Sequence, residues 1–338
     1  MRKISKSLLI GLALLSCSCT TFAMQHNEVT HKSWLPENQN AINQMIATYG
    51  NKNKDFNAKT PPVVTLDWDN TMIYNDIGEA TFMLIADEML FSYNDEFWKL
   101  IPDPFRNDLK SLYDDLNLIS REERKLSPLY KKYRKILVQS YWHLCDTQGN
   151  QVCYAWAAQI MTGMSIPEVK NATNLALRQE LDRPIGKESL KSDDNDQSPL
   201  QINTGIRYYP EMKKLVEQLK SNGFDVWVVS ASTQWVVEVA AEKVGISGNK
   251  VIGMLPQLDQ SLKLTSKMKR ITYRQGKANA IKKIIKRLPI FAAGDSNTDL
   301  EMLLLGKGPR LVIDRGKKPL MEIAKKEKWL VQPKFYQK

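Results

Sequence analysis

Three histidines and four cysteines among 338 residues leave little material for a soft-metal site. No group of them has the spacing of a tetrahedral zinc centre, so metal chemistry built on imidazole or thiolate is excluded as a starting point. Long apolar runs are also missing: Leu8–Leu15 is far shorter than the roughly 20 residues that cross a bilayer. Acid is the scarcer charge. Lys and Arg number 48 against 37 Asp and Glu, yet no helix concentrates the bases among aromatic residues, which speaks against nucleic acid as a partner. Scattered positive charge marks a soluble basic surface, one that also steers anionic substrates. At 43% hydrophobic and 25% charged, the composition supports folded domains with sizeable cores rather than disorder.

The first residues stand apart from the fold. Arg2, Lys3 and Lys6 precede the apolar run, the layout of a secretory signal over residues 1–23. Two cleavage sites compete within it. Leu14-Leu15-Ser16-Cys17 resembles a bacterial lipoprotein box, which would leave Cys17 as a lipidated first residue, and Thr21-Phe22-Ala23 offers a small-residue site ahead of Met24. Both lead to an exported protein, periplasmic or held at the outer membrane, that touches a membrane only through such an anchor. In that oxidising setting Cys145 and Cys153, flanking the turn Thr147–Asn150, read as a disulfide.

Residues 24–60 hold a polar stretch, an amphipathic helix with Ile42, Met45, Ile46 and Tyr49 on one face, and a polar linker closed by Pro61-Pro62. Val63-Val64-Thr65-Leu66 then reads as a buried strand that ends in Asp67-Trp68-Asp69-Asn70-Thr71. Residues 77–200 carry helical spacing at Gly78–Phe91, Phe105–Leu118, Arg121–Tyr141, Val152–Met161 and Ile166–Leu181, with Lys187–Pro199 as a low-complexity return. Strands alternate with helices after that. Phe224–Ser230 is a second apolar strand, Val251–Leu255 another, Leu262–Tyr273 a hairpin or flap, and Pro289–Gly294 a strand running into Asp295 and Asp299. The reading is an α/β fold: a doubly wound, parallel core from 61–76 and 201–338, interrupted by an all-α insertion over 77–200. Ligands would gather beyond the carboxyl ends of its strands.

Taken in order, Asp67 with Asp69, Ser230, Gly276-Lys277, and Asp295 with Asp299 resemble the four motifs of the haloacid dehalogenase-like hydrolases, in the phosphoserine phosphatase-like branch, over roughly Pro61–Trp329. The resemblance implies that the insertion is a cap closing over the active site. It also implies that Asp67 attacks phosphorus to form an aspartyl-phosphate, while Asp69 protonates the leaving oxygen and later activates water. Mg²⁺ would be held by the Asp67 carboxylate, the Asp69 carbonyl and Asp295, with Asn70 and Asp299 in support. Thr71, Ser230, the backbone at Ala231, and Lys277 would receive the phosphoryl group. Elementary chemistry agrees, because an anionic phosphoryl group repels nucleophiles and its transfer depends on positioning and charge neutralisation. Oxygen ligands without histidine favour Mg²⁺. Two departures stand out: Thr298 precedes the last acid where many relatives have Asn, and Ala231 follows the serine where they have Gly.

The exported setting, the large helical insertion, and Asp76 and Glu79 after the first motif look most like the periplasmic phosphorylcholine phosphatases. A quaternary ammonium group donates no hydrogen bond and is held by aromatic faces and carboxylates. The insertion offers Tyr93, Phe97, Trp98, Tyr141, Trp142, Tyr154 and Trp156, most of them at helix-packing positions. The expected substrate is a small cationic phosphate ester such as phosphorylcholine or phosphoethanolamine. The alternatives are a broad-specificity exported acid phosphatase and a catalytically silent, surface-anchored binding protein.

Overall fold

In the computed structural model, which describes residues 30–31 and 33–337, Val63–Leu66 forms strand β1 with all four side chains buried. The expected signal and its Cys17 box lie outside the described residues. A continuous apolar run needs cover on both faces, as the interior strands of a parallel sheet have. β2 (Asp225–Thr233), β3 (Val251–Leu258), β4 (Leu264–Arg270), β5 (Phe291–Gly294), β6 (Arg310–Asp314) and β7 (Leu330–Pro333) complete a sheet in the order β7-β6-β5-β1-β2-β3-β4. Neighbours are parallel except β3 and β4, which form the hairpin expected near Leu262–Tyr273. Leu66 lies beside Val228 on one flank and Ala293 on the other, so the residues that follow β1, β2 and β5 emerge together. Successive strands leave β1 on one side and return on the other, which makes this the switch point where such sheets bind ligands.

Helix α1 (Pro36–Tyr49) buries Ile42 and Met45, as its spacing predicts, and docks on the far edge of the sheet. Asn38 Nδ2 donates to the Val331 carbonyl at 2.8 Å, and the Trp34 and Phe335 rings meet edge to face at 5.0 Å. The insertion supplies α2 (Ile77–Asp87), α3 (Asp95–Leu100), α4 (Asp103–Asn117), α5 (Arg121–Leu126), α6 (Pro128–Gln148), α7 (Asn150–Gln159) and α8 (Ile166–Asp182). The single helix expected over Arg121–Tyr141 is divided at Ser127, whose hydroxyl accepts from the Leu129 N–H while Pro128 takes the first helical position. Gly149, at φ 86°, separates α6 from α7, and the Cys145–Cys153 disulfide joins them.

One expectation needs correction: the insertion is not all-α. Gly186–Leu190 pairs antiparallel with Leu200–Thr204, so only part of the stretch 187–199 is a free connection. Leu190, Ile202 and Thr204 are buried at alternate positions, a period-two signal masked by the polar residues on the open face. Several attachments hold the insertion to the core, among them an ion pair from Lys170 to Glu238. Asn75 Nδ2 donates to the carbonyls of Thr204 at 3.0 Å and Gly205 at 2.7 Å, tying together the two chain crossings. Farther along, Leu264 of β4 exchanges backbone hydrogen bonds with Gly163 and Met164 at 2.7 and 2.8 Å. Among the described residues no helix is long and apolar enough to cross a membrane.

Candidate active site

The left-handed backbone of Asn70, at φ 60°, ends the extended run after Asp69 and folds the chain back, so that the Thr71 and Met72 N–H groups both donate to the Trp68 carbonyl. Asparagine tolerates that conformation better than most residues. Thr71 Oγ1 thereby reaches Asp67 Oδ2 at 3.0 Å and Asp295 Oδ1 at 3.3 Å. Carboxylates from two neighbouring strand ends aim one oxygen each at the same hydroxyl.

Lys277, near the start of the helix Gln275–Ala280, is fully buried and donates to Asp67 Oδ1 at 2.5 Å and Asp299 Oδ1 at 2.6 Å. Burial alone would lower its pKa, but Asp299 and Asp67 outweigh that and hold the ammonium above the ordinary lysine range. Asp299 Oδ2 accepts the N–H groups of Asp295 and Ser296 at 3.0 and 3.1 Å. That fit needs Gly294, because a Cβ there would fall 2.7 Å from the Asp299 carboxyl carbon. Asp299 thus holds the lysine beside Asp67, and it also caps the turn that follows β5.

Asp69 turns the other way. Its Oδ1 accepts the Ile77 N–H at 2.7 Å, and its Oδ2 accepts from Ser232 Oγ at 2.7 Å and Ser230 Oγ at 3.4 Å. Ser230 and Ser232 are two apart on β2 and share a face; Ser232 was missed in the sequence although strand periodicity points to it. Burial first, then the charges of Asp76 and Asp67, push the Asp69 carboxyl well above the usual range, against the pull of Ser232 and Ile77. Asp67, by contrast, is paired with a lysine. Two acids with opposite tasks require such a contrast.

Asp67, Asp295 and Asp299 each offer a buried carboxylate oxygen within 4.8 Å of the others. Burial, and then Asp67 and Asp299, drive the Asp295 carboxyl upward, the like-charge crowding that a cation relieves. An all-oxygen donor set of this kind fits a hard divalent ion such as Mg²⁺. The Asp69 carboxylate lies outside that trio.

On the insertion side, the Asp76 carboxylate accepts the Glu79 N–H at 2.9 Å and caps α2. Burial and the neighbouring Asp76 push Glu79 up to about 7. An enclosed cavity of about 60 Å³ lies against Asp76, Glu79, Arg134, Glu188 and Asn203; Asp67 is not in its wall. Of the seven aromatic candidates, Tyr141 and Tyr154 have hydroxyls in the field of Asp76. Tyr93 stacks on Tyr113 at 3.9 Å, Phe97 and Trp98 pack beside it, and Trp156 is buried with its indole N–H on the Leu100 carbonyl. Trp142 is exposed. Ala231 packs with Tyr154 and Tyr273 at the seam between core and insertion. Sequence reading also missed Arg315, whose Nη1 donates to Asp295 Oδ2 at 2.7 Å from the turn after β6.

Residues 196–304 match the family model of the haloacid dehalogenase-like hydrolases. The match holds Ser230, Lys277, Asp295 and Asp299, while Asp67 lies ahead of it, across the insertion. Among curated proteins, the phosphorylcholine phosphatase of Pseudomonas aeruginosa is 26% identical in an alignment of 226 residues that covers 56% of this chain and 63% of that protein, less than two thirds of its length. Among solved structures, a functionally unknown protein from Anaerococcus prevotii superposes with a TM-score of 0.78 at 23% identity, covering 90% of this chain and 93% of that one. A protein of unknown function from Bordetella pertussis gives 0.51 at 13% identity, covering 80% and 96%. Both likenesses concern the fold.

Proposed function

We propose that this chain, which carries a haloacid dehalogenase-like hydrolase domain, hydrolyses phosphate monoesters through a covalent phosphoryl group on Asp67, with Mg²⁺ as its metal and small cationic esters as its substrates. The observation that carries the reading is the convergence of Asp67, Thr71, Lys277, Asp295 and Asp299, from elements 210 residues apart in the chain, on one buried point. Asp67 and Asp295 would hold the ion, which when bound neutralises phosphoryl charge and lets an anionic nucleophile approach. Lys277 pairs with Asp67 and adds its own charge where the phosphoryl group arrives. Ser230 stands at the mouth of β2 to hydrogen-bond a phosphoryl oxygen. As the Asp67–phosphorus bond forms and the ester bond breaks, Asp69 gives its proton to the departing alkoxide; it then takes one from the water that attacks the acyl phosphate.

Asp76, Glu79, Tyr141 and Tyr154 support the cationic leaving group: the Tyr141 and Tyr154 hydroxyls lie in the field of Asp76, that of Tyr141 also in the field of Glu79, and the Pseudomonas relative is named for a choline ester. The Cys145–Cys153 bridge supports an exported location. A turnover panel with Mg²⁺ tests the proposal. Phosphorylcholine or phosphoethanolamine should exceed phosphoserine and sugar phosphates in kcat/KM, and Asp67→Asn should abolish turnover of all of them. A sugar phosphate or phosphoserine better by about tenfold or more overturns the headgroup assignment, a flat panel indicates a broad-specificity phosphatase, and no hydrolysis of an aryl phosphate overturns catalysis itself.

A further inference from the structure

Arg315 lies outside the matched family region and outside every sequence motif. The turn that presents it is built by Asp314, whose carboxylate accepts the Gly316 N–H at 2.7 Å, with Gly316 at φ 72°. Its guanidinium meets a carboxylate that is only 3% exposed, and the two oxygens of that carboxylate are divided between partners. Asp295 Oδ2 faces Arg315 at 2.7 Å, while Oδ1 faces Thr71 and, through it, Asp67. Arg315 also places its charge on Asp76 and Tyr154, but its hydrogen bond goes to Asp295.

Resting on the Mg²⁺-dependent reading above, we propose that Arg315 is a positioning residue for the metal: by holding Asp295 Oδ2, it presents Oδ1 alone beside Asp67. A carboxylate pinned in this way binds an ion through one oxygen. Mg²⁺, which demands near-octahedral geometry and retains waters, suits one-oxygen ligation, whereas Ca²⁺ accepts both oxygens of a carboxylate. Arg315 therefore sets metal preference as well as affinity. Partners that orient metal ligands are typically worth about 10–100-fold in affinity.

The test is calorimetric titration of Mg²⁺ and Ca²⁺ into the full chain and its Arg315→Gln and Arg315→Lys variants, each first shown to be folded by urea unfolding. Arg315→Gln should weaken Mg²⁺ binding by about 10–100-fold and Ca²⁺ binding by less, so that the preference for Mg²⁺ narrows. Arg315→Lys, which keeps the charge without the fork, should fall between. At Mg²⁺ well above the new dissociation constant, kcat should return to within a few-fold of the parent. Unchanged Mg²⁺ affinity in a folded variant overturns the assignment, as does tighter binding, which would mean that the arginine only repels the ion. A raised KM with unaltered metal affinity would make Arg315 a substrate contact instead. If the parent itself binds no Mg²⁺, the metal reading fails, a result separate from a parent that binds normally beside an indifferent variant. Should Arg315→Gln not fold, the Lys variant carries the comparison.

Discussion

Lys277→Met keeps the buried stem and removes the charge. In the parent, Nζ is shared by Asp67 and Asp299, and all three side chains are at most 7% exposed. Removing one partner of a buried ion pair costs about 3–5 kcal/mol; with two carboxylates stranded, the loss at neutral pH should lie at about the upper end of that range. The sign with pH follows from the groups involved. The folded pKa of Lys277 is raised, so its contribution is complete at all pH values below the ordinary lysine range and fades only as pH climbs through the folded value. In the variant, Asp299, whose carboxyl is already raised by burial in the parent, loses the lysine that pulls it down and binds its proton more tightly folded than unfolded, so stability recovers as pH falls toward about 4. The gap between parent and variant should be widest near neutrality and narrow in acid. Urea unfolding followed by tryptophan fluorescence, from about pH 4.5 to about pH 8, measures it. Adding Asp299→Asn to the Met variant should restore part of the loss by removing one stranded charge, and Mg²⁺ should restore part by supplying a cation to the same three acids. A penalty below about 1 kcal/mol, or one independent of pH, would refute the idea that a desolvated lysine holds this site together.

Glu79 offers a second test. Its carboxyl, raised from 4.5 to about 7, makes the folded state hold extra protons between those values, so parent stability should fall as pH rises across that window. Glu79→Gln should flatten the profile and be more stable than the parent at alkaline pH by up to about 3 kcal/mol; parallel urea midpoints for the two proteins would reject a buried titrating group. For Asp69→Asn, the loss should track the basicity of the leaving group: about 10²–10⁴-fold in kcat for an alkyl phosphate and far less for 4-nitrophenyl phosphate. Equal losses for both esters would deny Asp69 the acid role.

The residues at the strand ends were legible because a short apolar run that stops at paired acids has few other uses, and the order of the motifs marked which strand ends carry them. Arg315 was not, since its relation to Asp295 exists only across the β5–β6 pairing, which no local pattern encodes. Ser232 was visible in principle: two residues after Ser230 on a strand, it had to share a face. The hairpin after α8 was hidden by its own amphipathy, with Lys187, Glu188, Gln201 and Asn203 giving a strand the composition of a loop. Helical spacing marked Tyr141, Tyr154 and Trp156 as packing positions but did not distinguish the two tyrosines in the field of Asp76 from the buried Trp156.

The bridge between Cys145 and Cys153 spans eight residues of chain, yet it fixes the elbow between two helices. Tyr141 stands one turn before Cys145 on α6, and Tyr154 directly follows Cys153 on α7. The two tyrosines whose hydroxyls feel the charge of Asp76 thus hang from one covalent brace, a bond that an oxidising compartment maintains. Folded in a reducing interior, the same polypeptide would retain the cluster of Asp67, Lys277, Asp295 and Asp299, which the sheet and its flanking helix position, and lose the constraint that fixes the elbow carrying the two tyrosines.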